Sequence, residues 1–142
     1  MCSLAVSALT ICAPLSAGPV QRIEVFTVST QAISPGGDPR VKSARIHVYK
    51  VDGVALAESA LSADLPMDAN AARAEALRRI ATLNAAAITP LKDAATGLAT
   101  ASRYGIDRYP AMVINDTAVL YGVTDLSEAL RHYDMWHARV AR

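Results

Sequence analysis

Apolar and polar positions follow strand spacing in the first third of the chain. Residues 23–28 are rich in β-branched side chains and predict a short central strand. In residues 44–51, Ile46 and Val48 alternate with polar neighbours, which predicts a second strand. Residues 29–39 are rich in serine, proline and glycine, so we expect an exposed loop. The two strands are predicted to be parallel neighbours, although such a crossover usually contains a helix.

Helical spacing dominates the middle of the chain. The Asp52-Gly53 pair predicts a turn, and the residues after it predict a further loop that runs through 64–66. A helix is then expected over residues 69–87, with Asp68 as its N-cap. A second helix is predicted to start at Thr89-Pro90, since proline fits the first helical position, and to stop at Gly105.

The C-terminal part predicts a hairpin followed by a helix. Residues 111–114 and 118–121 are short apolar runs, and the asparagine and aspartate between them tolerate positive φ. The last helix is predicted to begin at Thr124 or Asp125, with Glu128 as a capping-box partner. Its apolar positions recur at helical spacing: Leu126, Leu130, Tyr133, and Trp136 or His137.

This order of elements is that of an α/β domain. It predicts an abbreviated thioredoxin-like fold, with a central mixed sheet, flanking helices, and a C-terminal hairpin plus helix. The 142 residues fit one such domain over residues 19–142, and the 52% hydrophobic fraction excludes a disordered chain. The net charge of +1 provides no general attraction to nucleic acid, so no nucleic-acid partner is expected.

Residues 1–18 have the features of a secretory leader. Residues 4–12 are apolar over the length of a leader's hydrophobic region, and the small residues 16–18 suit signal peptidase. Export to the periplasm is therefore expected, although no lysine or arginine occurs before Arg22. Two alternatives stay open, a membrane anchor interrupted by Pro14 and lipidation at Cys12. No stable membrane span is expected.

Several segments, taken in order, resemble one known family. They are residues 23–27, 48–52, 61–66, 104–106, 110–114 and 121–125. In these segments the chain is similar to the thioredoxin-like family of integrating conjugative element proteins, which are exported and encoded among bacterial mating-pair and type IV secretion genes. The resemblance implies a periplasmic accessory of conjugative transfer that binds a protein of this apparatus, and it implies no catalytic residues.

The residues themselves argue against redox and metal chemistry. A redox-active relative would carry its cysteine pair around residues 28–31, which here read Val-Ser-Thr-Gln. Cys2 and Cys12 are separated by nine residues in the predicted leader and do not replace that pair. The three histidines lack metal-ligand spacing: His47, His132 and His137. The sequence therefore predicts a non-enzyme with no cofactor and no metal.

The candidate binding loop consists of Arg108, Tyr109 and Pro110. Proline has no N–H for a ladder, so Pro110 suits the first residue of a strand or a tight, cis turn. Such a loop can expose its backbone to an extended peptide, whereas starting a strand is the alternative role. Besides an accessory of conjugation, the sequence leaves open a periplasmic chaperone or peptide-binding adaptor, and an enzyme of unrecognised chemistry.

Overall fold

The computed structural model describes residues 19–140. The predicted leader, with Cys2 and Cys12, lies outside these residues, and so does the end of the predicted domain. The strands are β1 Arg22–Thr27, β2 Arg45–Lys50, β3 Ala111–Ile114 and β4 Ala118–Tyr121. The helices are α1 Pro39–Ser43, α2 Gly53–Ser62, α3 Ala69–Ala81, α4 Ala85–Arg103 and α5 Leu126–Val140.

The four strands form one mixed sheet in the order β2-β1-β3-β4. β1 and β2 are parallel, as predicted, whereas β3 runs antiparallel to both β1 and β4. The register places Ile23 beside Ile46 on one side and Ile114 on the other. The prediction of an α/β domain with a central mixed sheet is thus confirmed, and β1 is the central strand that its apolar sequence predicts.

A hydrophobic core lies on each face of the sheet. Successive residues of β1 point to opposite faces, so Ile23 and Val25 pack toward α1 and α5 while Phe26 packs toward α4. The first core includes Val41 of α1 and the buried face of α5: Leu126, Ala129, Leu130 and Tyr133. The second core includes Tyr49, Val51, Ala101, Ala111 and Val113. Both sides of the sheet therefore depend on the same central strand.

Two helices that were not predicted, α1 and α2, lie before and after β2 in the chain. The crossover between β1 and β2 contains α1, where the Asp38 side chain accepts a hydrogen bond from the Arg40 N–H. Residues 53–62 form α2, so the prediction of a loop there is wrong. Asp52 makes no side-chain capping bond to α2, so the usual start signal is missing. Tertiary contacts with α4 instead support this alanine-rich helix.

The boundary between α3 and α4 also differs from the prediction. The first helix ends at Ala81 rather than 87, and α4 begins at Ala85, where Asn84 accepts a hydrogen bond from the Ala87 N–H. Pro90 lies inside α4 instead of at its first position. Because Pro90 is exposed, the Ala86 carbonyl that loses its helical partner can be hydrated. Asparagine therefore starts this helix, and the proline is tolerated within it.

The other predicted boundaries are confirmed by their caps. Gly105 has a φ of 68°, and the Gly105 and Ile106 N–H groups donate to Ser102 and Ala101, which is a Schellman motif. Asn115 and Asp116 both have positive φ in the hairpin turn. Asp125 accepts from the Glu128 N–H at the start of α5. Within residues 19–140, no helix is long and apolar enough to span a membrane.

Candidate functional site

The predicted binding loop lies at the end of β1. Phe26 pairs with Ala111 in the antiparallel ladder, so the residues before Ala111 lie beside the chain that leaves β1. The Tyr109-Pro110 peptide is cis, and the buried Pro110 accepts a hydrogen bond of 2.9 Å from the Gly122 N–H. Pro110 thus immediately precedes β3, and its carbonyl attaches the loop to the end of the hairpin.

Arg108 and Tyr109 have different surroundings in this loop. Tyr109 is half-buried and packs against the core on the α4 side, as does Val28. The Arg108 side chain is 72% exposed, and its guanidinium lies 5.1 Å from the centre of the Tyr121 ring. Arg108 also pairs with the equally exposed Asp107, a surface contact that contributes little to stability. The loop therefore presents a cation beside aromatic rings to the solvent.

The turn that follows β1 is held by Lys50, the last residue of β2, and by Asp52, which follows that strand. The Ser29 N–H and hydroxyl donate to the Asp52 carboxylate at 2.8–2.9 Å. The Lys50 ammonium donates to the Val28 and Gln31 carbonyls at 3.2 and 3.0 Å. Burial acts to raise the pKa of Asp52, but the hydrogen bonds from Ser29 outweigh it and hold that pKa below its ordinary value. This turn is rigidly built, and it contains no sulfur.

The structure brings no metal-ligand set together in residues 19–140. His47 contacts the Asp93 carboxylate at 2.8 Å, and His132 lies 3.7 Å from Glu128 one helical turn away. His137 packs against the rings of Tyr133 and Trp136. Each histidine therefore contacts a different group, and the three do not converge on one site in the described residues.

A second polar cluster, which sequence reasoning missed, lies on the α4 side of the sheet. Glu24 is only 7% exposed within β1 and accepts a hydrogen bond of 2.8 Å from the Tyr104 hydroxyl. That hydroxyl also contacts Asp116, which pairs with Arg22. A polar cleft of about 460 Å³ opens beside the pair and is also lined by Arg45. The signal in the sequence was Glu24, an acidic residue within a run of strand-forming residues.

The Tyr104 cluster joins three distant parts of the fold. Glu24 belongs to the central strand, Tyr104 follows α4, and Asp116 lies in the hairpin turn. Burial, followed by the hydrogen bonds to Asp116 and Glu24, raises the pKa of Tyr104 to about 12. Because two carboxylates surround one phenolic proton, the neutral tyrosine is strongly favoured. We interpret this cluster as structural, which leaves the loop at 108–110 as the candidate binding site.

Replacing Tyr104 by phenylalanine is expected to destabilise the fold by about 1–2 kcal/mol at neutral pH, because buried Glu24 loses its hydroxyl donor. The raised pKa of Tyr104 stabilises the native state fully below pH 10, and this contribution is lost as the pH rises through about 12. Urea unfolding measures the first effect, and ultraviolet titration of the tyrosines measures the second. If the component that disappears in Tyr104→Phe titrates near pH 10 rather than near 12, the assignment is wrong.

Taken together, the fold and this loop define a class: a small α/β protein with a four-stranded mixed sheet and helices on both faces. Residues 20–139 match the model of a family described as "Protein of unknown function (DUF1525)". The chain belongs to this family. No curated protein matches the sequence, and no solved structure matches the fold.

Proposed function

We propose that this chain is a non-catalytic protein exported to the periplasm, and an accessory of an integrative conjugative element. In this proposal it has a redox-inactive thioredoxin-like fold and binds a protein component of the mating-pair and type IV secretion apparatus. The observation that carries the proposal is the position of the 108–110 loop beside the sulfur-free turn at 28–31. The sequence resemblance to the conjugative-element family supplies the biological setting.

The topology supports the thioredoxin-like assignment. The chain forms β1 and β2 as parallel neighbours, then the helices, then an antiparallel hairpin and a final helix. In a fold of this order, the loop before β3 meets the turn after β1, where thioredoxin-like proteins place their substrate loop and dithiol. Ser29 lies in this turn and donates a hydroxyl hydrogen bond to Asp52, which follows β2. A thiolate is required for disulfide exchange, so the turn suits binding without electron transfer.

The exposed side chains of the loop support a protein partner. Arginine and tyrosine are enriched at the energetic centres of protein interfaces, and here Arg108 lies over the half-exposed ring of Tyr121. The guanidinium has unused donors for carboxylates or backbone carbonyls, while the rings offer apolar area. A partner segment with acidic or carbonyl-rich backbone groups fits this surface.

The Arg108→Glu substitution is expected to abolish partner binding while unfolding stability changes by less than about 0.5 kcal/mol, since the side chain is exposed. The functional measurement is the frequency of conjugative DNA transfer from a donor strain with the gene deleted. Complementation with the wild-type gene should restore transfer, whereas Arg108→Glu should not.

The matched control is Arg139→Glu, because Arg139 is an exposed arginine in the last turn of α5 and outside the loop. It should restore transfer fully. Normal transfer from the deletion strain would refute the proposed function, and equal loss with both variants would refute the loop as the binding site. Insulin reduction by the purified protein would refute a redox-inactive fold, and capture of many unfolded clients would favour the chaperone alternative.

A further inference from the structure

The strand β4 has backbone groups that face outward from the sheet. The order β2-β1-β3-β4 places it at one edge, and no strand of the described residues pairs with its outer side. Just after β4, the Gly122 N–H donates to the Pro110 carbonyl, and the register with β3 is unbroken. Because backbone groups alternate in direction along an antiparallel ladder, the N–H and C=O groups of Val119 and Tyr121 point away from β3.

The two edges of the sheet differ in charge. At the β2 edge, Arg45 and His47 are exposed, and charged side chains are a common means of keeping an edge strand from pairing with another chain. The β4 sequence reads Ala-Val-Leu-Tyr, which contains neither a charge nor a proline. An uncharged edge with outward backbone groups is a template for one more strand. The sheet is therefore open to strand addition at β4.

The α5 face of β4 offers a pocket for one side chain of an added strand. This pocket has a volume of about 220 Å³, and its lining includes Ala118 and Leu120 of the strand and Tyr133 and Trp136 of the helix. A protein cavity of about 150 Å³ binds benzene, so the pocket is large enough for an aromatic ring. Residues directly opposite each other in a ladder share a face, so the residue opposite Leu120 would enter it.

The other face of β4 carries a cation. The Arg108 guanidinium lies 5.1 Å from the centre of the Tyr121 ring. Among the described residues, Asp107 accepts from Nε of Arg108 at 3.1 Å, and no side chain or carbonyl accepts from its two terminal nitrogens. A residue opposite Tyr121 would point to this same face. A carboxylate there would receive charge-assisted hydrogen bonds from the guanidinium.

We infer that β4 binds an extended segment of another protein, which adds antiparallel to this edge with an acidic residue opposite Tyr121 and an aromatic residue opposite Leu120. The strand backbone supplies hydrogen bonds, and the two side-chain sites select the sequence. A second copy fits less well, because its β4 has no carboxylate and would bring another Arg108 to the edge. The inference rests on the proposed function for the existence of a protein partner, and it names the form in which that partner binds.

Nuclear magnetic resonance titration of the isotopically labelled full chain tests this inference. The probe is the capped peptide Thr-Glu-Phe-Val-Thr, whose three central residues would lie opposite Tyr121, Leu120 and Val119. Saturable binding is expected, with the largest amide shifts at Val119 and Tyr121. N-methylation of the peptide valine removes a donor to β4 and should weaken binding about tenfold. N-methylation of the phenylalanine, whose N–H points away, should change binding by less than about twofold.

Val119→Pro tests the protein side of the same contact. Because the Val119 N–H points away from β3, proline deletes the edge donor and leaves the hairpin ladder intact. It should weaken peptide binding about tenfold. The N-methylated peptides need no protein variant, so the test stands should the proline impair folding, as judged by circular dichroism.

The matched control is Val48→Pro at the opposite edge. Val48 is 37% exposed, against 38% for Val119. The Arg45 and Val51 N–H groups donate to residues 21 and 27 of the chain that contains β1, so the Val48 N–H, three residues from each, points outward from the sheet. This variant should bind the peptide as the wild type does.

Absence of binding at millimolar peptide overturns the inference, as does binding that N-methylation of the valine leaves unchanged. Equal weakening by Val48→Pro and Val119→Pro would also overturn it. A wild-type dimer that Val119→Pro dissociates would assign the edge to a second copy instead. Normal DNA transfer from the deletion strain would refute the proposed function, while the result of the peptide titration would stand.

Discussion

Phe26→Ala is expected to lower the free energy of unfolding by about 4 kcal/mol, the largest effect we predict for one residue. Phe26 is fully buried in the central strand. Its ring stacks on Tyr49 at 5.2 Å and meets the edge of Tyr104 at 6.4 Å, so the truncation leaves a cavity and removes both aromatic contacts. Since a domain of this size is stable by only about 5–15 kcal/mol, the variant should approach unfolding near physiological temperature.

Urea unfolding followed by circular dichroism measures this effect. The control is Met135→Ala, because Met135 is half exposed on α5 and should change stability by no more than about 0.5 kcal/mol. A loss below about 1 kcal/mol for Phe26→Ala would mean that the core on the α4 side does not pack as described.

Gly97→Ala is expected to destabilise the protein by about 2 kcal/mol, although alanine is the better helix former by about 1 kcal/mol. Gly97 is buried in α4 where the helix crosses β2. A Cβ atom at this position would lie 2.5 Å from the Tyr49 Cβ, which belongs to the strand and cannot rotate away. The helix would have to move off the sheet, and the stacking of Tyr49 on Phe26 would be disturbed.

The reverse substitution at an exposed site of the same helix provides the control. Ala99→Gly should cost about 1 kcal/mol through helix propensity alone, because Ala99 contacts solvent. Chemical unfolding of both variants gives the comparison. A Gly97→Ala protein as stable as the wild type would show that α4 does not approach β2 this closely.

Local chemistry explains why most element boundaries were predictable. A glycine at φ 68° stops α4, an Asn-Asp pair makes the hairpin turn, and Asp125 caps α5. Each of these preferences depends on the backbone within a few residues, so each boundary can be predicted from the local sequence. The strand pattern of residues 23–28 was equally clear because a central strand needs apolar side chains on both faces.

Helix α2 and the boundary between α3 and α4 show where such reasoning failed. The Asp52-Gly53 pair indicated a turn, whereas α2 begins there without a side-chain capping bond and without a buried stripe. Thr89-Pro90 matched a helix start better than Asn84 did, yet Asn84 caps α4. Competing caps a few residues apart differ by only about 1 kcal/mol, and packing of the helices on one another decides between them.

For the candidate site, the sequence alone determined what the loop contains: Arg108, Tyr109 and Pro110 before a strand, and no sulfur after β1. Both facts depend only on which residues are present and on their order in the chain. Only the tertiary structure decided that Arg108 lies over Tyr121, and that Glu24 meets a tyrosine 80 residues away. It also decided that β4 lies at an open edge of the sheet. Burial depends on which distant segments meet, and that is a property of the whole chain rather than of any local pattern.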